Sequence, residues 1–231
     1  MSEKRIAIFD LDGTLLDTLY DIGDSLNIML EHFGYPTRTY EEVKGMVGNG
    51  VKKLVYRAIP MGEDNPIADE CVEYFKSTYS ADLTKKTCPY RGIPEALRIL
   101  RAHGIEVAVV TNKVHNAAHE LCEKFFGDTV SMVLGDRDGM RKKPYPDGVF
   151  YVMEQLGCKE AVYVGDADTD IDVAKNAGIP SVSVLWGFRD ENFLVDHGAE
   201  VTVKDANELL RELGRLLRVD FGEQDVSEEE T

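Results

Sequence analysis

Asp10 and Asp12 stand one residue apart at the end of a short apolar run, Ile6-Ala7-Ile8-Phe9. Such a run suits a strand buried on both faces. Two carboxylates at its end are costly, because like charges repel and burial penalises both. Gly13 lets the chain turn sharply there, and a bound cation would relieve the repulsion. In a parallel sheet, ligands bind in the crevice beyond the carboxyl ends of the strands. The plainer alternative is two solvated aspartates in a turn. Two further apolar runs end in polar residues at the same expected edge. Glu106 to Val110 leads into Thr111-Asn112, and Ala161 to Val164 leads into Asp166, with Asp170 close behind. Lys143 arrives from a loop, just before Pro144.

The elements that must position these residues fall into two groups. After Thr14 the chain loses strand character. Leu19, Ile22, Leu26, Met29, Leu30 and Phe33 recur at helical spacing, and Gly34 with Pro36 ends that helix. Thr39 and Glu42 form a capping box for a second helix through Met46. Val51, Leu54, Val55 and Ala58 mark a third helix, and Cys71, Val72, Phe75 and Tyr79 a fourth. From Pro89 onward, helix and strand alternate. Helices are expected over Gly92 to Ala102, through Leu121 and Phe125, from a cap at Asp147, over Thr169 to Ala177 and over Ala206 to Leu217. Strands are expected at 106–110, 130–134, 161–164, 181–185 and 199–203. Alternation of this kind implies a mostly parallel sheet covered on both faces. The fold class is therefore α/β, a Rossmann-like parallel sheet core with an inserted all-helical segment. The boundaries expected are 1–16 and 84–219 for the core, 17–83 for the helical insert and 220–231 for an acidic tail.

Asp10-Leu11-Asp12-Gly13-Thr14, Thr111-Asn112, Lys143-Pro144 and Gly165-Asp166-Ala167-Asp168-Thr169-Asp170 occur in this order. With them the chain resembles the haloacid dehalogenase-like superfamily of phosphohydrolases. In that family the helical insert is a cap that closes over the site. The resemblance implies that Asp10 is the nucleophile, forming an aspartyl-phosphate and ligating magnesium. Asp12 would protonate the leaving group and then activate water, and its backbone carbonyl would be a further metal ligand. Thr111 and Asn112 would bind the phosphoryl group, and Lys143 would neutralise it. Asp166 would ligate the metal, while Asp170 would act through a metal-bound water or orient Lys143. This matches what phosphate-ester hydrolysis needs: a nucleophile, a cation at the non-bridging oxygens and an acid for the leaving alkoxide. Oxygen ligands suit magnesium better than zinc. The second aspartate argues against a dehalogenase.

Within the superfamily the chain looks most like bacterial phosphoglycolate phosphatases with a small helical cap. Val47-Gly48-Asn49-Gly50, Thr111-Asn112-Lys113, Lys142-Lys143-Pro144 and Trp186-Gly187-Phe188 carry that likeness. It implies 2-phosphoglycolate as substrate. Pyrophosphatase, nucleoside monophosphatase and phosphosugar mutase share the same core machinery, so motifs alone do not separate them. A non-catalytic phosphate-binding module is a further alternative. Gly48, Asn49 and Gly50 are the expected specificity residues, since two glycines allow close backbone approach and the Asn49 amide could bind a small carboxylate. Those glycines are not a dinucleotide fingerprint, because no strand precedes them. Asp168 and Asp172 read as a helix cap and a solvated face. His115 and His119 lack a third ligand, so a metal pair is not expected.

Composition sets outer limits. The chain has 231 residues, 26 basic and 42 acidic, for a net charge of -16. Such a charge disfavours nucleic acid and anionic membrane as partners, leaving a small phosphorylated metabolite. Six carboxylates and no base lie between Asp220 and Thr231, which reads as a disordered tail. The four cysteines are widely spaced and imply neither zinc nor disulfides. A core strand starting at once leaves no room for a signal peptide, so a soluble cytoplasmic protein, monomer or homodimer, is expected.

Overall fold

The apolar run that precedes Asp10 becomes the centre of the sheet. The computed structural model describes residues 4–81, 84–222 and 226. β1 (Lys4–Phe9) is wholly buried from Ile6 onward. The chain then makes the two-residue strand β2 (Leu16–Asp17) and four helices. These are α1 (Leu19–His32), α2 (Tyr40–Met46), α3 (Val51–Ala58) and α4 (Ala68–Ala81). The expected capping box starts α2: Thr39 N–H donates to Glu42 Oε2 at 2.7 Å and Glu42 N–H to Thr39 Oγ1 at 3.3 Å. α1 and α4 pack together, with α2 and α3 against them.

The chain returns to the sheet through β3 (Cys88–Pro89), which pairs antiparallel with β2, Leu16 opposite Pro89 and Asp17 opposite Cys88. This ribbon binds the two crossings between sheet and helices side by side. Nothing in the sequence announced it, because two-residue strands carry no periodicity. Asp21, buried on α1, fixes the second crossing by accepting from Thr87 N–H at 2.8 Å and Thr87 Oγ1 at 2.7 Å.

The remainder alternates. In order come α5 (Ile93–Ala102), β4 (Ile105–Val114), α6 (His115–Phe126), β5 (Met132–Asp136), α7 (Asp147–Leu156) and β6 (Cys158–Gly165). They are followed by α8 (Asp168–Ala177), β7 (Ser181–Val184), α9 (Glu191–Asp196), β8 (Thr202–Val203) and α10 (Ala206–Leu217). Six strands pair in parallel in the order β5-β4-β1-β6-β7-β8. One face buries Leu97 and Leu100 of α5, Leu121 of α6 and Leu209 and Leu213 of α10. The other buries Val149 and Val152 of α7 and Val173 and Ala174 of α8. β1 therefore lies between β4 and β6, and the three strands that end in polar residues are adjacent.

Several expectations need correction. β4 continues to Val114, so Thr111-Asn112 lie inside the strand rather than past its end. β8 is confined to Thr202–Val203, and α9 was not foreseen. Pro146, not Asp147, is the cap position of α7, and Asp147 instead accepts from Arg141 at 3.0 Å. The tail is not wholly solvated at its described positions: Phe221 and Val226 are buried, and Val226 N–H donates to Asn207 Oδ1 at 2.9 Å. Apolar side chains spaced among the carboxylates find the core, which net charge alone does not reveal. Among the described residues no helix is long and apolar enough to cross a membrane.

Candidate active site

The three adjacent strands bring Asp10, Asp166 and Asp170 into a buried floor, one oxygen of each lying within 4.8 Å of the others. No other cluster of this kind occurs among the described residues. Glycines make the approach possible. A Cβ at Gly13, where φ is +82°, would fall 2.3 Å from Asp166 Oδ2, and one at Gly187 would fall 2.5 Å from the Gly13 carbonyl. Asp166 is held by Thr14 Oγ1, donating to Oδ1 at 3.0 Å, and by Phe188 N–H, donating to Oδ2 at 2.8 Å. Thr14 and Phe188 lie within the sequence motifs, but neither residue type by itself marks a partner of Asp166.

Lys143, buried beneath this floor, lies 2.9 Å from Asp10 Oδ1 and 2.6 Å from Asp170 Oδ1. The other Asp170 oxygen accepts the N–H groups of Asp166 and Ala167, both at 3.0 Å. Asp170 thus caps α8 itself and orients Lys143, whereas Asp168 does not supply the cap. Burial pushes the Asp166 carboxyl up to about 8, with Asp170 and Asp10 adding repulsion. Burial also raises Asp170, to about 6, against the pull of Lys143. Burial would lower Lys143, but Asp10 and Asp170 outweigh it and hold the ammonium well above its ordinary value. The floor fits a hard divalent cation. Its donors are carboxylate oxygens, and one from each of Asp10, Asp166 and Asp170 converges within 4.8 Å.

Opposite the floor the geometry comes from an irregularity in β4. Val110 pairs with Leu134 and Val114 with Asp136, so four steps along β4 match two along β5. Such a bulge re-aims side chains that regular pleating would send to alternate faces. Thr111, Asn112 and Lys113 all line one cavity of about 430 Å³, together with Asp10, Asp12 and Asp166. Asn112 Nδ2 donates to the carbonyls of Gly48 and Lys143, both at 3.2 Å, and so links cap to core. Lys113 Nζ lies 2.8 and 3.1 Å from the two Asp12 oxygens and 2.5 Å from Tyr79 Oη. Burial would lower the Lys113 ammonium, but Asp12 and Tyr79 hold it above its ordinary value, while burial pushes the Tyr79 phenol up to about 12. Two residues beyond Thr111, Lys113 shares that residue's side of the strand under regular pleating, but its partners come from β1's end and from α4.

The helical insert closes the cavity with Ile22, Val51, Leu54, Phe75 and Tyr79, and with Gly48 and Gly50. Asn49 does not join them. Its Oδ1 accepts from Arg57 Nη2 at 2.6 Å within the cap, a bond that turns the amide toward Arg57 and does not use its Nδ2 donors. Arg189, on the loop after β7, donates to the carbonyls of Lys44 and Val47 at 2.9 and 2.8 Å. His115 Nδ1 accepts from Gly135 N–H at 3.2 Å and His119 is exposed near Glu123. The four cysteines are free.

The site is thus an acidic floor at the carboxyl edge of a parallel α/β sheet, closed over by inserted helices. Residues 7–184 match the family described as haloacid dehalogenase-like hydrolase. The chain is 33% identical over 213 residues to a phosphoglycolate phosphatase of Chromobacterium violaceum, covering 89% of this chain and 94% of that one. It is 37% identical over 193 residues to a phosphoglycolate phosphatase of Agrobacterium fabrum, covering 80% and 82%. Among solved structures, a candidate phosphoglycolate phosphatase from Lactobacillus delbrueckii subsp. bulgaricus superposes with a TM-score of 0.86 at 33% identity, covering 91% of this chain and 98% of that one. The chain belongs to the haloacid dehalogenase-like hydrolases and is a phosphatase of that family.

Proposed function

We propose that this phosphatase is magnesium-dependent and hydrolyses a small phosphate monoester, 2-phosphoglycolate, through an aspartyl-phosphate on Asp10. The observation that carries the reading is the separation of two carboxylates. Asp10 lies on the floor against Lys143, and Asp12 lies on the cap-side wall against Lys113. An Asp10 oxygen attacks phosphorus and the bond to the leaving oxygen breaks, that oxygen taking a proton from Asp12. Water then attacks the phosphorus, its proton passes to Asp12, and the bond to Asp10 breaks, releasing inorganic phosphate. Lys143 balances charge beneath Asp10, and Thr111 and Asn112 flank the phosphoryl group. Asp10 and Asp166, with the Asp12 carbonyl, would hold magnesium, with Asp170 close by; the ion would supply positive charge against the phosphoryl oxygens.

The choice of 2-phosphoglycolate is supported by relatives of that name at 33% and 37% identity. A second reading has its own support: the cavity of about 430 Å³, walled by Ile22, Val51, Leu54 and Phe75, has room for a larger and more apolar leaving group. The test is a screen of 2-phosphoglycolate, nucleoside monophosphates, pyrophosphate, phosphosugars and para-nitrophenyl phosphate. The expected result is a kcat/KM for 2-phosphoglycolate at least about tenfold above the rest, a ratio within reach of leaving-group contacts. Activity should vanish in EDTA and return with magnesium. Preference for a nucleoside monophosphate would select the second reading, and no turnover of any phosphate would reject both.

A further inference from the structure

We propose that Lys113 is the positioning residue of Asp12, and that Tyr79 makes this positioning depend on the seating of the helical cap. The inference rests on the reading of Asp12 as the acid and base of the reaction. A single ammonium within 3.1 Å of both Asp12 oxygens fixes the rotation of that carboxylate. It holds Asp12 toward the cap, on the side a leaving group must occupy, while Asp10, Asp166 and Asp170 face one another on the floor. The Lys113 side chain is only 4% exposed. A buried ion pair of this kind is a poor source of stability, because desolvation offsets the attraction, and what it does supply is a fixed geometry.

The third member of the group comes from the other part of the molecule. Tyr79 lies on α4, accepts from Lys113 at 2.5 Å and places its ring 4.6 Å from the same ammonium. The ring stacks on Phe75 at 5.6 Å, so it is itself held. Withdrawal of the cap would remove the Tyr79 hydroxyl and ring from Lys113 together. The ammonium would then be free to leave Asp12, and the carboxylate would lose its orientation. Proton transfer is thereby tied to closure, when the helices exclude bulk water from the phosphorylated enzyme.

The test exploits para-nitrophenyl phosphate, whose phenolate departs without a proton whereas water attack on the phosphorylated Asp10 still needs Asp12. With Lys113→Met, the first turnover of para-nitrophenolate should persist as a burst while steady-state kcat falls about 100-fold, the range of a general base. Phosphorylated chain should accumulate in intact-mass spectra, with KM little changed. Tyr79→Phe, which keeps the ring and its packing, should show the same pattern with a smaller fall of about tenfold, and Lys113→Arg should restore part of the loss. Burst and steady state falling together in Tyr79→Phe, or unchanged rates in both Lys113→Met and Tyr79→Phe, would overturn the proposal. Asp12→Asn separates the two levels of argument. If it turns over like wild type, the acid–base reading fails; if it shows the burst pattern and the Lys113 and Tyr79 variants do not, only the present inference fails.

Discussion

The floor of the site and its cap-side wall are built on different terms. On the floor, Asp10, Asp166, Asp170 and Lys143 are clamped by backbone N–H groups, by one another and by glycines that leave no space for a Cβ. The wall joins residues from distant parts of the chain, Asp12 beside Lys113, Lys113 beside Tyr79, and Asn112 beside Gly48. The floor is therefore built from core residues alone, whereas the wall is completed by contacts from the cap, Tyr79 on Lys113 and Gly48 on Asn112. Phosphoryl chemistry needs the first property, and leaving-group selection with controlled access of water needs the second.

The largest effect should come from the floor. On the proposed mechanism Asp10→Asn removes the nucleophile and should lower kcat by about 10⁴-fold or more, leaving circular dichroism unchanged. A folded variant with wild-type turnover would break the distinction at its strongest point. Lys143→Ala comes next, with a fall of about 10²–10³-fold, because it supplies the charge beneath Asp10. Lys142 pairs with Asp136 and Arg141 with Asp147, both at the surface, so alanine there should change kcat less than about threefold, as surface pairs do little. Equal losses in all three variants would remove Lys143 from the floor's chemistry.

The floor should also give the metal-free protein a distinctive pH dependence. Asp166 and Asp170 are raised from 3.8 to about 8 and about 6, so the folded state holds their protons more tightly than the unfolded chain. Their contribution favours folding fully below about pH 4 and is lost as pH rises through 6 and 8. The slope is at most about 1.4 kcal/mol per pH unit for each extra proton bound. Thermal midpoints in EDTA should fall over that interval, magnesium should offset the fall, and Asp166→Asn should flatten it. A flat profile for the wild type in EDTA would mean that the carboxylates are not charged against one another. The smallest effect belongs to the cap. Asn49→Ala removes a contact to Arg57 worth about 1 kcal/mol and should alter KM for 2-phosphoglycolate and para-nitrophenyl phosphate equally. A selective rise for 2-phosphoglycolate would return Asn49 to the substrate.

What the sequence determined was whatever depends on near neighbours along the chain. The apolar run 6–9 ending in two aspartates, the Thr39–Glu42 capping box and the helix–strand alternation after Pro89 all carry local periodicity or spacing, and these elements formed. The floor residues were legible for the same reason, since each lies at or just beyond the carboxyl end of a strand or in a loop motif. Only the tertiary structure decided where Asn49 turns, because a primary amide serves Arg57 and a carboxylate substrate equally well. Only it made Lys113 a partner of Asp12, since the carboxylate arrives from the end of β1 and the Tyr79 hydroxyl from α4, both far away in the chain. Phe221 and Val226 were hidden among carboxylates, and their burial depends on α10 and Gly92 offering a surface to receive them. Spacing along a strand fixes which end of the sheet a residue reaches. Which group it meets there is set by elements that are distant in the chain and adjacent only after folding.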